Sequence, residues 1–133
     1  MRIIAPRISP LAIGARVYIS APTQKNKPDF TDFIRPNENY HKPWLYHSFD
    51  KGYYDHYLKR IKRGVTQGFF VFDIQTDELV GVININNILL GNIGSASMGY
   101  CGDAAHSGRG YMAEGMLLTL SYAVENMGLH RLE

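Results

Sequence analysis

The sequence predicts an α/β fold, a mixed β-sheet with helices on its faces, and three observations carry that expectation. Between Gly68 and Gly102 the chain holds three strand-sized segments separated by short turn-forming stretches, the mark of antiparallel hairpins. From Met112 to Met127 apolar residues recur at three- and four-residue spacing, the period of an α-helix. A further strand opens at Leu129, so this last strand–helix–strand unit is expected to cross over in the right-handed sense and set two strands parallel.

Taken in order, Ala15 to Ser20 alternates Ala15, Val17 and Ile19 against Arg16 and Tyr18, which predicts a short strand. Ala21 to Trp44 is rich in Pro, Asn, Asp and Lys, with short helical pieces expected around Phe30, Phe33 and Ile34. Asp50 is a candidate cap for a helix carrying Tyr53, Tyr54, Tyr57, Leu58 and Ile61 on one stripe, and Gly64 a candidate stop. Gly68 to Ile74 is the next strand. Gln75 to Glu78 makes a tight turn into a longer strand, Leu79 to Leu90, and Gly91 to Gly94 turns the chain into a third, Ser95 to Gly102. The following helix buries Met112, Met116, Leu117, Leu120, Ala123, Val124 and Met127 and stops at Gly128.

At 133 residues the chain is expected to form one domain with one core. The apolar share of 45% and charged share of 20% are those of a soluble globular protein. No apolar run reaches the length of a membrane span, and Arg2, Pro6, Arg7 and Pro10 break up the N-terminal segment where a secretory signal would sit. A cytoplasmic protein is therefore expected. The single cysteine, Cys101, excludes an internal disulfide and a multi-cysteine zinc set. A net charge of +2 is too small to argue for nucleic acid, and the basic run Lys59-Arg60-Ile61-Lys62-Arg63 is the solvated face of a helix more readily than a patch for an acidic partner.

The segment with chemical content runs from Met98 to Glu114. A strand enters a loop ending Ser107-Gly108-Arg109-Gly110, and a long helix begins at once. The first turn of a helix has backbone N–H groups without intrahelical partners and the positive end of the dipole, which suits a pyrophosphate. Gly108 and Gly110 let the backbone approach a ligand, and Arg109 adds a group that can fork onto phosphate oxygens. Two glycines before a helix also serve as a purely structural turn, and both readings stand on this motif alone. A dinucleotide fingerprint would need a third glycine and a later acid, and a nucleotide-binding P-loop a Gly-Lys-Ser/Thr, and neither is present.

Ser107-Gly108-Arg109-Gly110-Tyr111-Met112 resembles the acetyl-CoA-binding motif of the GNAT superfamily of N-acetyltransferases, Gln/Arg-x-x-Gly-x-Gly/Ala. Gly99-Tyr100, Gly108 to Gly115, Leu129-His130-Arg131, Lys42-Pro43-Trp44 and Val80 to Asn84 are similar to segments of the branch that acetylates the N-terminal alanine of ribosomal proteins, in the same order. Two positions depart from the motif: Ser107 stands where a long polar side chain is usual, and Met112 where a small one is. Gly14 to Val17 resembles the family's first strand loosely.

The resemblance implies an acetyl-CoA-dependent N-acetyltransferase without a metal. Cofactor contacts would come from Met98, Gly99, Tyr100 and Cys101 on the strand, and from Ser107, Gly108, Arg109, Gly110, Tyr111, Met112 and Ala113 at the helix start. A backbone N–H at Tyr100 or Cys101 would hold the developing oxyanion. Trp44, Asn84 and Asn86 would face the acceptor, a ribosomal protein's N-terminus or a small amine. The family's general acid and base lie on later elements, so they are expected beyond Glu133, with residues 1–133 forming one acetyltransferase domain incomplete at its C-terminus. Neither membrane nor direct nucleic-acid contact is implied, and a monomer or homodimer is expected. Two rival classes remain: an acetyltransferase of polyamines or aminoglycosides, and a non-catalytic acyl-CoA-binding or interaction module. Outside the motif, Cys101 is read as a structural thiol, His41, His47 and His56 as ordinary histidines, and Glu114 as an acid complementing the helix dipole.

Overall fold

The computed structural model describes residues 10–34, 52–64, 66–89, 95–102, 110–127 and 131–132. Its strands are β1 (Ala12–Ile13), β2 (Val17–Ser20), β3 (Thr66–Asp73), β4 (Leu79–Leu89), β5 (Ser95–Gly102) and β6 (Arg131–Leu132). A 3-10 turn (Gln24–Asn26) leads into helix α1 (Lys27–Ile34), and α2 (Tyr53–Lys62) and α3 (Tyr111–Asn126) complete the described elements. The strands lie in one sheet in sequence order, antiparallel from β1 to β5 and parallel between β5 and β6. The predicted α/β architecture is therefore present, with the crossover helix α3 joining the parallel pair. Strand β1 was not expected. It is two residues long, too short to show an alternation, and is held by Leu11 N–H to Ile19 C=O (2.8 Å) and Gly14 N–H to Val17 C=O (2.8 Å).

Each face of the sheet has its own core, because alternate residues of every strand point to opposite faces. On one face Tyr18, Phe70, Phe72 and Val82 pack with Phe30, Phe33 and Ile34 of α1 and Tyr54 and Tyr57 of α2. The rings are stacked in series, Phe30 parallel to Phe70 at 6.0 Å and Tyr18 to Phe72 at 5.2 Å. The predicted α2 stripe is the packed one: Tyr54 and Tyr57 are buried, and Tyr53, Leu58 and Ile61 are packed against them. Tyr54 donates its hydroxyl to the Thr23 carbonyl (2.6 Å), and burial, reinforced by Asp29, pushes that hydroxyl above its ordinary tyrosine range. Helix α2 starts at Gly52, whose φ is 88°; Asp50 lies outside the described residues. The basic run falls on the last turn of α2, where cations complement the negative end of the dipole.

The other face holds Val17, Ile19, Phe69, Val71, Val80, Ile83 and Ile85 under α3. Here the expected stripe needs correcting. The fully buried residues of α3 are Gly115, Thr119 and Ala123, one every four positions, while Leu117 and Val124 are more than 60% exposed and Leu120 is also exposed. The cause is close approach. A Cβ on Gly115 would stand 2.9 Å from both Val71 methyls, so small residues define the line of contact and larger ones flank it. Met112, Met116, Leu118, Tyr122 and Met127 are those flanks. In β4, Phe72 pairs with Leu79 and Val71 with Gly81, so Val80 is an extra residue, a bulge that switches the alternation.

One glycine on the α2 face is fixed by its neighbour. A Cβ on Gly68 would collide with the Tyr57 hydroxyl and come within 2.9 Å of Pro22 Cγ. Gly68→Ala is therefore expected to cost about 1–3 kcal/mol through overpacking. Chemical denaturation checks it; an unchanged midpoint would mean that Tyr57 moves aside freely.

Candidate active site

The candidate site lies where β5 ends and α3 begins. Met112, in the first turn of α3, rests on the end of β5: a Cβ on Gly102 would lie 2.9 Å from Met112 Cγ. That contact accounts for a long apolar side chain at 112, because glycine across from it leaves the room. Gly110 caps the helix with φ 79°, a left-handed conformation that residues other than glycine rarely adopt, and having no side chain it makes no side-chain cap bond itself. The first intrahelical bond runs from Glu114 N–H to the Gly110 carbonyl (3.1 Å), so the N–H groups of residues 111–113 precede the helical ladder.

A cation from elsewhere in the chain completes this end. The Arg16 guanidinium lies 5.1 Å from the centre of the Tyr111 ring, and its Nη2 is 2.9 Å from where a Cβ on Gly110 would be. Helix start, glycine cap and guanidinium together fit an anionic group such as a pyrophosphate. Arg16 is held by Glu114, whose carboxylate accepts the backbone N–H groups of Arg16 (2.7 Å) and Val17 (2.8 Å) and the Arg16 Nε (3.4 Å). Burial alone would raise the Glu114 carboxyl, but these hydrogen bonds outweigh it and hold it below its ordinary value. Glu114 is thus a brace between α3 and the β1–β2 turn. Sequence reasoning missed Arg16 because it lies 98 positions from Glu114; the Gly14 to Val17 segment was its only local trace.

Along β5, Met98 packs into the core beneath α3, Gly99 is half-buried and Tyr100 is 65% exposed. Tyr100 pairs with Ile83 and Cys101 with Val82 of β4. In an antiparallel pair, hydrogen-bonded and non-hydrogen-bonded positions alternate. Of Tyr100 and Cys101, therefore, one turns its N–H away from β4, toward the edge that β6 pairs only at Ser95 and Ala96 among the described residues. Ala113 is exposed and Tyr111 half-buried at the helix start. Asn84 and Asn86 lie on the α2 face of β4, where Asn84 Oδ1 accepts the Tyr57 hydroxyl and Asn86 Oδ1 accepts the Thr66 hydroxyl (3.3 Å). Of the predicted residues, Trp44, Ser107, Gly108 and Arg109 lie outside the described residues, as do His41 and His47; His56 is exposed on α2. Among the described residues no three His, Cys, Asp or Glu side chains are grouped as a metal site would group them, and no helix is long and apolar enough to cross a membrane.

Comparison with known proteins agrees with this fold. The chain is 34% identical over 77 residues to a probable N-acetyltransferase, YjcK, of Bacillus subtilis, covering 58% of this chain and 42% of that protein. It is 26% identical over 110 residues to the ribosomal protein uS5-alanine N-acetyltransferase of Escherichia coli, covering 76% and 56%. The chain thus spans about half the length of these relatives. Among solved structures, the ribosomal-protein-S5-alanine acetyltransferase of Vibrio fischeri superposes with a TM-score of 0.78 at 17% identity, over 91% of this chain and 70% of that one. The spermidine N-acetyltransferase of Vibrio cholerae, in complex with CoA and spermine, gives 0.73 at 19%, over 88% and 69%. At such identities the likeness is one of fold: a five-stranded antiparallel sheet flanked by helices. The profile of the acetyltransferase (GNAT) domain matches residues 16–133, and the chain belongs to that family.

Proposed function

We propose that this chain is a single acetyltransferase domain of a cytoplasmic enzyme that moves the acetyl group of acetyl-CoA onto a primary amine, the N-terminal alanine of a ribosomal protein being the preferred reading. The observation that carries it is the entry to α3: a left-handed glycine, 110, at the head of a 16-residue helix with a guanidinium beside it. Acetyl-CoA, when bound, supplies the activated acetyl thioester. The N–H groups of residues 111–113 and Arg16 would hold its pyrophosphate, a role the motif resemblance extends to Ser107, Gly108 and Arg109. Met98, Gly99, Tyr100 and Cys101 line the thioester, with the outward N–H of Tyr100 or Cys101 stabilising negative charge on the carbonyl oxygen. Trp44, Asn84 and Asn86 face the acceptor. In the overall exchange the amine nitrogen bonds to the acetyl carbon, the carbon–sulfur bond breaks, and the sulfur leaves as thiolate. One ammonium proton passes to a base or through water before attack, the nitrogen loses a second as the amide forms, and the thiolate takes up one proton to leave as the thiol.

The alanine reading is supported by the name of the Escherichia coli relative. A polyamine acceptor is supported by the spermidine enzyme of the same fold. The deciding experiment is calorimetric titration of the full chain with acetyl-CoA, followed by thiol release in the presence of an alanine-initiated peptide or spermidine. Saturable binding and peptide-dependent thiol release are expected. A folded chain that takes up no acetyl-CoA would refute the proposal.

A further inference from the structure

Charge is spread unevenly over the described residues. The net charge of the whole chain is only +2. Yet of the described Lys and Arg side chains all but Arg16 lie on one surface, formed by α2 and residues 24–27. Lys59, Lys62 and Arg63 are exposed at the end of α2, and Arg60 is half-buried over the Tyr57 ring (5.9 Å). The fold brings residues 24–27 beside them: Lys27 Nζ lies 3.6 Å from Asp55 Oδ2, and Gln24 donates to Asp55 Oδ1 (3.2 Å). The Gln24 hydrogen bond, then Lys27 and Lys59, hold the Asp55 carboxyl below its ordinary range. Of the acids on α1, Asp29 accepts the Asn26 amide (3.1 Å) and Asp32 is exposed. Asp73, Asp77 and Glu78 gather at the β3–β4 turn, at the far end of β3 from Arg63. Lys25, Lys59, Lys62 and Arg63 make no ion pair among the described residues. The helix dipole accounts for cations in the last turn of α2 but not for Lys25 and Lys27, which belong to other elements.

The chemistry of this surface selects among anionic partners. The apolar stripe of α2 is packed on the sheet, with Tyr54 and Tyr57 buried and Tyr53, Leu58 and Ile61 against them. A protein interface is built around an apolar or aromatic centre from which lysine is depleted, and a helix lying in a membrane surface needs an apolar face to bury. The exposed side of α2 presents His56, Lys59, Lys62 and Arg63 instead. The carboxylates of an acidic peptide would meet these cations as exposed ion pairs, which contribute little in water. A nucleic-acid backbone differs, because its charge is dense enough to condense counterions, and each phosphate met by Lys or Arg releases them. We infer that Lys25, Lys59, Arg60, Lys62 and Arg63 bind the phosphate backbone of a nucleic acid, through charge and without reading its bases, while Lys27 neutralises Asp55. This surface belongs to the α2 face of the sheet and the head of α3 to the other, so the inference does not depend on the acetyl-transfer reading.

The test is fluorescence anisotropy of the full chain with a labelled mixed-sequence RNA of about 20 nucleotides, longer than a usual single-strand site. A Kd on the order of 10⁻⁵ M near physiological salt is expected, with a slope of log K against log salt of about −3, the value for four or five phosphates of a single strand. An RNA of unrelated sequence should bind equally well, since phosphate contacts carry no sequence information. The combined variant Lys59→Ala, Lys62→Ala, Arg63→Ala should bind at least about tenfold more weakly, with a slope shallower by about 2. Lys59→Arg with Lys62→Arg keeps the charge and should bind like wild type. Circular dichroism checks the fold; should the combined variant unfold, Lys62→Ala decides in its place, with a slope shallower by about 0.7. Acidic peptide and phosphatidylserine vesicles are the competing partners. The inference is overturned by a folded wild type that binds no RNA, by an unchanged slope in the alanine variants, or by tighter binding to the peptide or the vesicles than to RNA.

Discussion

Glu114→Ala is expected to lower stability by about 2–3 kcal/mol, a fall in melting temperature of roughly 6–10 °C for a chain of this length. The side chain is 19% exposed, and its carboxylate receives two backbone N–H groups of the β1–β2 turn at 2.7 and 2.8 Å. Hydrogen bonds to an ionised acceptor exceed neutral ones in strength, and truncation would leave both donors to whatever water reaches them. The ion pair adds little, because the Arg16 side chain is half exposed and its charge is screened. The same contacts fix the pH dependence. Hydrogen bonds hold the folded-state carboxyl below its ordinary value of 4.5, so the stabilisation is complete above that value. It is lost as the pH falls through the lowered folded-state value. Denaturant melts of wild type between pH 6 and 3 (about the range where glutamate titrates) should therefore lose this contribution on acidification, and Glu114→Gln should show a flatter profile. A variant as stable as wild type at neutral pH would show that α3 is anchored without this brace.

The fate of Glu114 illustrates what was legible in the chain. Its place in the first turn of α3 could be read from spacing, and so could the complement to the helix dipole, since both depend on neighbours within four residues. Its partners could not: Arg16 and Val17 are brought to it only by the packing of β2 under α3. The hairpins β3–β4 and β4–β5 were readable because only short turn-forming stretches of sequence separate their strands. The buried face of α3 was read only in part: Met112, Met116, Ala123 and Met127 of the expected stripe do pack on the core, but Leu117, Leu120 and Val124 do not, because hydrophobicity counts Leu and Val while the line of contact is chosen by the small size of Gly115, Thr119 and Ala123. Asn84 and Asn86 were placed near the acceptor by resemblance. The row Gly68–Asn84–Gly99 follows from strand register, which no single segment encodes.

Gly110→Asp should leave the chain folded and abolish measurable acetyl-CoA binding, a loss of at least about a hundredfold. Folding should survive because aspartate tolerates a left-handed backbone better than most residues and is a favoured helix cap. Binding should not, for two reasons that act together. The new Cβ would press to within 2.9 Å of Arg16 Nη2, and the carboxylate beyond it would take that guanidinium as its own partner. It would also place a negative charge at the helix end to which the proposed function assigns the phosphates. Gly110→Asn separates the contributions, since it has the same shape and backbone demand without the charge; about a tenfold loss is expected from it, with the remainder in aspartate being electrostatic. Calorimetry at two salt concentrations completes the argument, because the difference between the Asp and Asn variants should shrink as salt rises while the steric part stays constant. Equal binding by Gly110→Asp and wild type would mean that the anionic end of acetyl-CoA rests somewhere other than the head of α3.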